Sequence, residues 1–442
     1  MQVNLPEKVS YIIQQLEQAG FEAYAVGGCV RDSLLGRNPD DWDVTTSATP
    51  QQVKAVFRRT IDTGIQHGTV TVMLEKEGFE VTTYRIDGEY EDSRHPKEVT
   101  FTVNLTEDLK RRDFTINAMA YNDRSGIVDA FGGMEDLRQG IIRCVGNARE
   151  RFTEDALRMM RAVRFSAQLG FTIEEQTRQA VTELVQTLEN ISAERIQTEL
   201  VKLLLSPHPD YVREAYCLGI TKVILPELDK AFATGQNNPH HIYTVGEHLM
   251  NCLLSVRADK ALRIAALLHD IGKPETKTTD DAGVDHFYGH VERSEEIAVR
   301  ILRRLKFDND TIEKAGRYIR YHDYSIEPTP KAVRRAVNKI GVDCFAQVLE
   351  MKHADTLAQS DYQREQKLAL LSQISDIYKE IMEQNQCVSL KTLKISGYDL
   401  IALGVPKGKR IGDLLQLLLE DVLQTPEHND RDYLMEACRR LQ

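Results

Sequence analysis

The chain of 442 residues has no apolar run long enough to span a bilayer as a helix, no signal-peptide pattern, no internal repeat and no low-complexity tract. A soluble, cytoplasmic protein with no membrane partner is the expectation. Its seven cysteines are odd in number and lack CxxC spacing, which argues against a disulfide framework and for a reducing compartment. An excess of positive charge is also missing: 56 Lys and Arg face 67 Asp and Glu, a formal net charge of −11. No global positive field can therefore gather a polyanion, and local patches must do so. Arg111/Arg112, Arg158/Arg161/Arg164 and Lys407/Lys409/Arg410 are the candidates. The length is enough for about three domains with sizeable cores.

What is present concentrates first in residues 27–43, GGCVRDSLLGRNPDDWD. A Gly-Gly turn follows a hydrophobic strand, a helix opens near Val30, and two aspartates stand two residues apart. In an extended strand Asp41 and Asp43 share one face because the side-chain period is two. Paired carboxylates together with nucleotide phosphates suit Mg²⁺, a hard cation with oxygen ligands. Gly27 and Gly28 let backbone approach phosphate oxygens, and Arg31 can add a charge-assisted contact. Taken alone, the same string also fits an ordinary strand-to-helix turn followed by a solvated loop.

Two further segments, KRRDFTINA at 110–118 and EDALR at 154–158, follow in order, with GTVTV (68–72), DAFGG (129–133) and AERIQTEL (193–200) around them. Together these motifs resemble the class II tRNA nucleotidyltransferase and bacterial poly(A) polymerase superfamily from about residue 20 to about 200. The resemblance implies that Asp41 and Asp43 hold the catalytic metals in a two-metal scheme. It implies that Arg112, Asp113 and Asn117 surround the sugar and phosphates, with Asp113 accepting from a ribose hydroxyl. It further implies base selection by Asp155 and Arg158, which on one helix would be neighbours three residues apart. A carboxylate accepts from the exocyclic amino group of C or A and a guanidinium donates to the adjacent ring atom, whereas U and G present the opposite pattern. A plain intrahelical ion pair would have the same spacing. Arg158, Arg161 and Arg164 recur at helical spacing, part nucleotide-facing edge and part solvated face.

Residues 84–101, YRIDGEYEDSRHPKEVTF, read as a mobile loop. They resemble the loop of relatives that add a terminal A, which is shortened in those that add only CC. Arg94 within it is expected to serve chiefly the final A. Upstream, Val9, Ile12, Ile13 and Leu16 predict an amphipathic first helix ending at Gly20. The runs FEAYAVGG, DWDVTT, TVTVML and FEVTTYR predict a small sheet, helical periodicity dominates from about 145, and 226–240 reads as a linker.

Beyond that linker lies a second constellation. His248 sits in a helical pattern, His269 and Asp270 follow the apolar run LRIAALL, and Asp355 lies in KHADTLAQ. Their order resembles the HD phosphohydrolase superfamily, which implies a divalent metal site, with His290 and His322 as the extra ligands of a second ion. Imidazoles suit Mn²⁺, Ni²⁺ or Co²⁺, and such a metal would generate hydroxide for attack on a phosphate ester. A helical domain that has lost its chemistry and only grips RNA is the alternative.

The fold class expected is α+β: a small nucleotidyltransferase-type mixed-sheet head (1–140), an all-helical neck (141–235), an HD-type body (236–375) and a helical tail (376–442). In the tail, Lys407, Lys409 and Arg410 either approach tRNA phosphate or simply lead into an amphipathic helix. The activity implied is addition of CCA to tRNA from CTP and ATP, with Gly28, Arg31, Arg112, Asp113, Asn117, Asp155, Arg158, Arg161 and Arg164 contacting nucleotide. Mg²⁺ is the expected head cofactor, tRNA the partner, and DNA is not. Addition of A alone, poly(A) synthesis, and an inert RNA-binding scaffold are the other readings.

Overall fold

The computed structural model describes residues 3–88 and 99–441 and divides into two compact units, 1–226 and 227–442. In the first, helix α1 (Glu7–Gln18) buries Val9, Ile12, Ile13 and Leu16 against the sheet, as its periodicity requires. The strands are β1 (Ala23–Val26), β2 (Val44–Thr46), β3 (Thr60–Gly64), β4 (Thr69–Leu74) and β5 (Glu77–Thr83), then β6 (Arg85–Asp87), β7 (Val99–Phe101), β8 (Met119–Asn122) and β9 (Gly126–Asp129). Seven of them form one mixed sheet in the order β3-β4-β5-β2-β1-β8-β9. Only β2 and β5 run parallel, with Val44 opposite Val81. All four predicted runs are strands, whereas β3, β8 and β9 carried no usable signal. β3 is a mostly exposed edge, and β8 is too short, at four buried residues, to show a period.

The segment expected as a loop begins and ends in structure. Tyr84 is fully buried, and β6 pairs antiparallel with β7, Ile86 opposite Thr100. Arg94 lies outside the described residues. Helix α2 (Gly28–Leu34) starts two residues earlier than the sequence suggested, directly after Gly27.

The neck corrects a second expectation, since the EDALR stretch is two helices rather than one. Helix α3 (Ala148–Glu154) stops at Asp155, which is extended (φ −143°, ψ 101°), and α4 (Leu157–Leu169) begins after Ala156. The Asp155 carboxylate causes the break, accepting from the Leu157 amide at 3.1 Å in competition with the helical ladder. Helix α5 (Ala193–Leu204) packs on α4. A short parallel ladder, Ile141–Ile142 with Thr172–Ile173, means that the neck is not wholly helical.

The first residues of the second unit belong to a helix, Pro226–Ala233, where a linker was expected; proline suits a first turn because its missing N–H is not needed there. It continues with α6 (Val245–Ser255), α7 (Lys260–Leu268), α8 (His290–Arg304), α9 (Asn309–Tyr321) and α10 (Phe345–Leu357), interrupted by a two-residue ladder at Thr278–Thr279 and Asp285–His286. Near its C-terminus, Leu414, Leu418, Leu419, Val422 and Leu423 close on Leu400, Leu434 and Cys438 in a small separate core. No described helix is long and apolar enough to cross a membrane. The seven cysteines are all free, and only Cys217 is exposed.

Gly133, in the DAFGG motif, has no room for a side chain: a Cβ there would lie 2.3 Å from the Thr115 carbonyl oxygen. Gly133→Ala is therefore expected to destabilise the first unit by about 1–3 kcal/mol through overpacking. Urea unfolding checks this, and an unchanged midpoint would contradict the close approach.

Candidate functional site

Asp41 and Asp43 lie in the extended approach to β2, where the Asp43 carbonyl still accepts from the Val26 amide at 3.0 Å. The parallel register that places Val44 opposite Val81 also sets Asp43 level with Glu80 on β5. Glu80 is a third carboxylate, and no local motif marks it; only the strand pairing does. Asp43 opens to solvent at the strand end, yet its carboxyl is held above the ordinary range. Desolvation by the surrounding chain is the main cause, Glu80 and Asp41 add repulsion, and Arg112 opposes both. Asp41 and Glu80 are near enough to raise the Asp43 carboxyl, and the three acids offer the oxygen donors that a divalent cation takes, with Arg112 as the neighbouring guanidinium.

Arg112 lies against Gly27, whose φ is +83° and whose Cβ, if present, would sit 2.9 Å from the Arg112 Nη1. Its Nε is buried without a hydrogen-bond partner, and its nearest anion, Asp108, is 3.8 Å away. A buried, under-satisfied guanidinium beside a Gly-Gly turn is a place for an anion. Arg111 pairs more closely with the same fully buried Asp108, at 2.8 Å. The RR pair is therefore not an exposed basic corner.

Asp113 is more heavily engaged than expected. Its Oδ1 accepts from the Phe114 amide (2.8 Å) and Asn117 Nδ2 (3.1 Å), and its Oδ2 from Arg161 Nε (2.8 Å) and Nη2 (2.5 Å). Burial alone would raise this carboxyl, but Arg161 and Asn117 hold it well below the usual range. All four of its acceptor positions are filled, so a ribose hydroxyl could reach it only by displacing one. Asn117 Oδ1 in turn accepts from Arg31 Nη1 at 2.6 Å, and Arg31 also pairs with Asp32. Arg164 pairs with buried Glu199 at 2.5 Å and lies over the Phe165 ring, and Arg161 is 3.9 Å from the same Glu199. Arg158 and Arg164 are buried and Arg161 is one-third exposed, so the arginine run is an internal charge lattice rather than a solvated face.

Because the helix breaks at Asp155, Asp155 and Arg158 are not an intrahelical pair. Arg158 donates to Glu154 (2.6 Å) and to the Arg151 and Arg111 carbonyls (3.1 and 3.0 Å). Asp155 is paired instead with Arg195 of α5, at 2.7 Å.

In the second unit the predicted ligands do converge. His248 Nε2 lies 3.2 Å from His269 Nε2, 3.0 Å from Asp355 and 3.4 Å from Asp270, while His290 and His322 stand 3.5 and 3.8 Å from the other oxygen of Asp270. Each histidine Nδ1 faces a backbone carbonyl: Ala358 (3.2 Å), Ala266 (3.1 Å), Phe287 (2.9 Å) and Ile319 (2.7 Å) respectively. A proton on each Nδ1 leaves every Nε2 as a lone pair aimed inward. Asp270 Oδ1, common to the second group, is buried without a hydrogen bond. Burial would raise Asp270, but Lys273 at 2.7 Å and the surrounding histidines hold it well below the carboxylate range. Inward-facing acceptors around a shared carboxylate fit cations. Above them opens a cleft of about 950 Å³ whose walls include Lys273, Arg320, Lys339 and Lys367. In the tail, Lys407, Lys409 and Arg410 are exposed at the start of Lys409–Gln424.

Residues 23–143 match the family described as Poly A polymerase head domain, 170–232 the probable RNA and SrmB-binding site of polymerase A, and 278–438 tRNA nucleotidyltransferase domain 2. A CCA-adding enzyme of Ligilactobacillus salivarius is 35% identical over 99% of this chain and 98% of its own length. The match to the Lactiplantibacillus plantarum CCA-adding enzyme is 55% identical but covers 45% of this chain and about half, 49%, of that relative. The crystal structure of the Bacillus stearothermophilus CCA-adding enzyme in complex with CTP is 32% identical, covers 98% of this chain and 97% of that one, and superposes with a TM-score of 0.68.

The two glycines of the opening turn separate backbone from space. Gly27→Ala combines positive φ with a contact to Arg112, whereas a Cβ on Gly28 would meet only Arg31 Nη2 at 3.7 Å, an ordinary distance. We expect Gly27→Ala to cost about 1–3 kcal/mol and Gly28→Ala almost nothing in urea unfolding. Equal effects would contradict this reading of the turn.

Proposed function

The chain belongs to the CCA-adding enzyme family, and we propose that it adds C, C and A to the 3′ end of tRNA from CTP and ATP. The observation that carries this reading is the alignment of Asp43 with Glu80 beside Asp41 and the under-satisfied Arg112. Nucleotidyltransferases of this family use divalent metal ions. Here Asp41, Asp43 and Glu80 would hold Mg²⁺, which when bound supplies neutralisation of triphosphate charge and activation of the RNA 3′-hydroxyl. Arg112 binds phosphate over the Gly27–Gly28 turn. Asp113, Asn117, Arg161 and Arg31 form the floor that fixes Arg112 and the neck relative to it. Asp155 accepts from the exocyclic amine of C or A, and Arg158 donates to the neighbouring ring atom. The exposed Lys407, Lys409 and Arg410 contact tRNA phosphate.

Asp41→Asn and Asp43→Asn are expected to lower single-turnover extension of tRNA by at least about a thousandfold with little change in tRNA binding, because the metal charge is unmatched while the RNA surface is untouched. Glu80→Gln should fall between these variants and wild type. Near wild-type rates in both aspartate variants would remove them from the metal site.

A second activity is favoured by the four histidines whose Nδ1 atoms face backbone carbonyls. His248, His269, Asp270 and Asp355 would hold one transition-metal ion, and Asp270, His290 and His322 a second, Mn²⁺, Ni²⁺ or Co²⁺ being suited to such donors. The ion when bound supplies activation of water for phosphoester hydrolysis. His269→Ala combined with Asp270→Ala should abolish both metal retention and hydrolysis of phosphomonoesters or 2′,3′-cyclic phosphates, leaving nucleotide addition intact. Metal analysis and hydrolysis assays check this. A wild-type protein that retains no transition metal and hydrolyses none of these esters when Mn²⁺ or Ni²⁺ is supplied would make this cluster structural.

A further inference from the structure

Arg195 occupies a place that helix energetics disfavour. It is the third residue of α5 (Ala193–Leu204), in the first turn, where the helix dipole favours acids and repels cations. Its Nη1 is buried with no hydrogen-bond partner. Two costs at one side chain require a return, and the ion pair with Asp155 supplies it: Nη2 donates to Asp155 Oδ2 at 2.7 Å.

That contact bears on how Asp155 is presented. Its Oδ1 accepts from the Leu157 amide at 3.1 Å and its Oδ2 from Arg195, so both oxygens are tethered and the side chain cannot swing. A carboxylate has about four acceptor positions, and two remain. Asp155 is partly exposed, with 17% of its side chain open, so the remaining lone pairs have access to solvent. Arg158 donates to Glu154 and to the Arg151 and Arg111 carbonyls. Glu199, one turn after Arg195 on α5, pairs with Arg164 of α4. One helix thus carries a cation for the acid between α3 and α4 and an acid for the cation inside α4.

We propose that Arg195 is a positioning residue for nucleotide selection: it fixes the Asp155 carboxylate so that its free lone pairs meet an exocyclic amino group and reject a carbonyl. The proposal rests on the base-reading role of Asp155 given above. A carboxylate released from Arg195 can rotate away from a carbonyl oxygen, so the wrong base is no longer penalised.

The test is steady-state addition to tRNA with each of CTP, ATP, UTP and GTP, for Arg195→Gln, Arg195→Lys and Asp155→Ala. Arg195→Gln should lose about tenfold or more of the discrimination of CTP over UTP, through a lower KM for UTP together with a higher KM for CTP and ATP. Arg195→Lys, which keeps the charge without the planar fork, should recover part of it and carries the test if the glutamine variant folds poorly. Discrimination within about twofold of wild type in both Arg195 variants, with Asp155→Ala impaired, would overturn the proposal. So would an equal loss for all four nucleotides, which marks a merely structural arginine. If Asp155→Ala itself keeps full discrimination, the base-reading role falls first and the positioning role with it.

Discussion

The ion pair of buried Asp113 with the partly exposed Arg161 is the constraint on which the first unit depends. One carboxylate takes four hydrogen bonds from a strand-side amide, an asparagine and a neck arginine, and through Asn117 it reaches Arg31 behind the Gly-Gly turn. Removing Arg161 would leave the buried Asp113 carboxylate desolvated and unpaired, at a cost below the roughly 3–5 kcal/mol typical of a fully buried pair because Arg161 is partly exposed. Such a lattice is a poor source of net stability but a strict source of geometry. It fixes the helix that follows Asp155 relative to the sheet that carries Asp43, the spacing that the proposed transfer reaction needs.

The sheet contributes the other half of the arrangement. A single parallel pairing in an otherwise antiparallel sheet sets Asp43 level with Glu80, with Asp41 two residues earlier. A one-residue slip of β5 would turn Glu80 to the opposite face while burying polar side chains, so the hydrophobic alternation that stabilises the sheet also sets the carboxylates.

Much of this was legible in the chain itself. The first helix was plain because four apolar residues recur at helical spacing, and four strands because their β-branched runs are bounded by turn residues. Asp41, Asp43, His248, His269, Asp270 and Asp355 stand in short local motifs. Glu80 was not legible, nor was the pairing of Arg195 within the AERIQTEL motif, since each owes its place to a partner far along the chain. The single-helix reading of EDALR failed for a local reason: an aspartate that captures a backbone amide two residues on ends one helix and starts the next, and spacing alone cannot distinguish that from an intrahelical pair. The roles expected for Arg161 and Arg164 shifted from surface to interior because charge periodicity does not reveal the buried acids Asp113 and Glu199.

The central claim is that the chain adds C, C and A in turn and then stops. Sequencing the products made from three tRNA substrates, ending before, within and after the CC, tests it most directly. The account predicts that the two incomplete acceptors lacking C residues are completed to CCA, that the acceptor ending in CC receives a single A, and that extension then stops. Extension of the CC-ended substrate alone, or a long run of A on unrelated RNA, would contradict it.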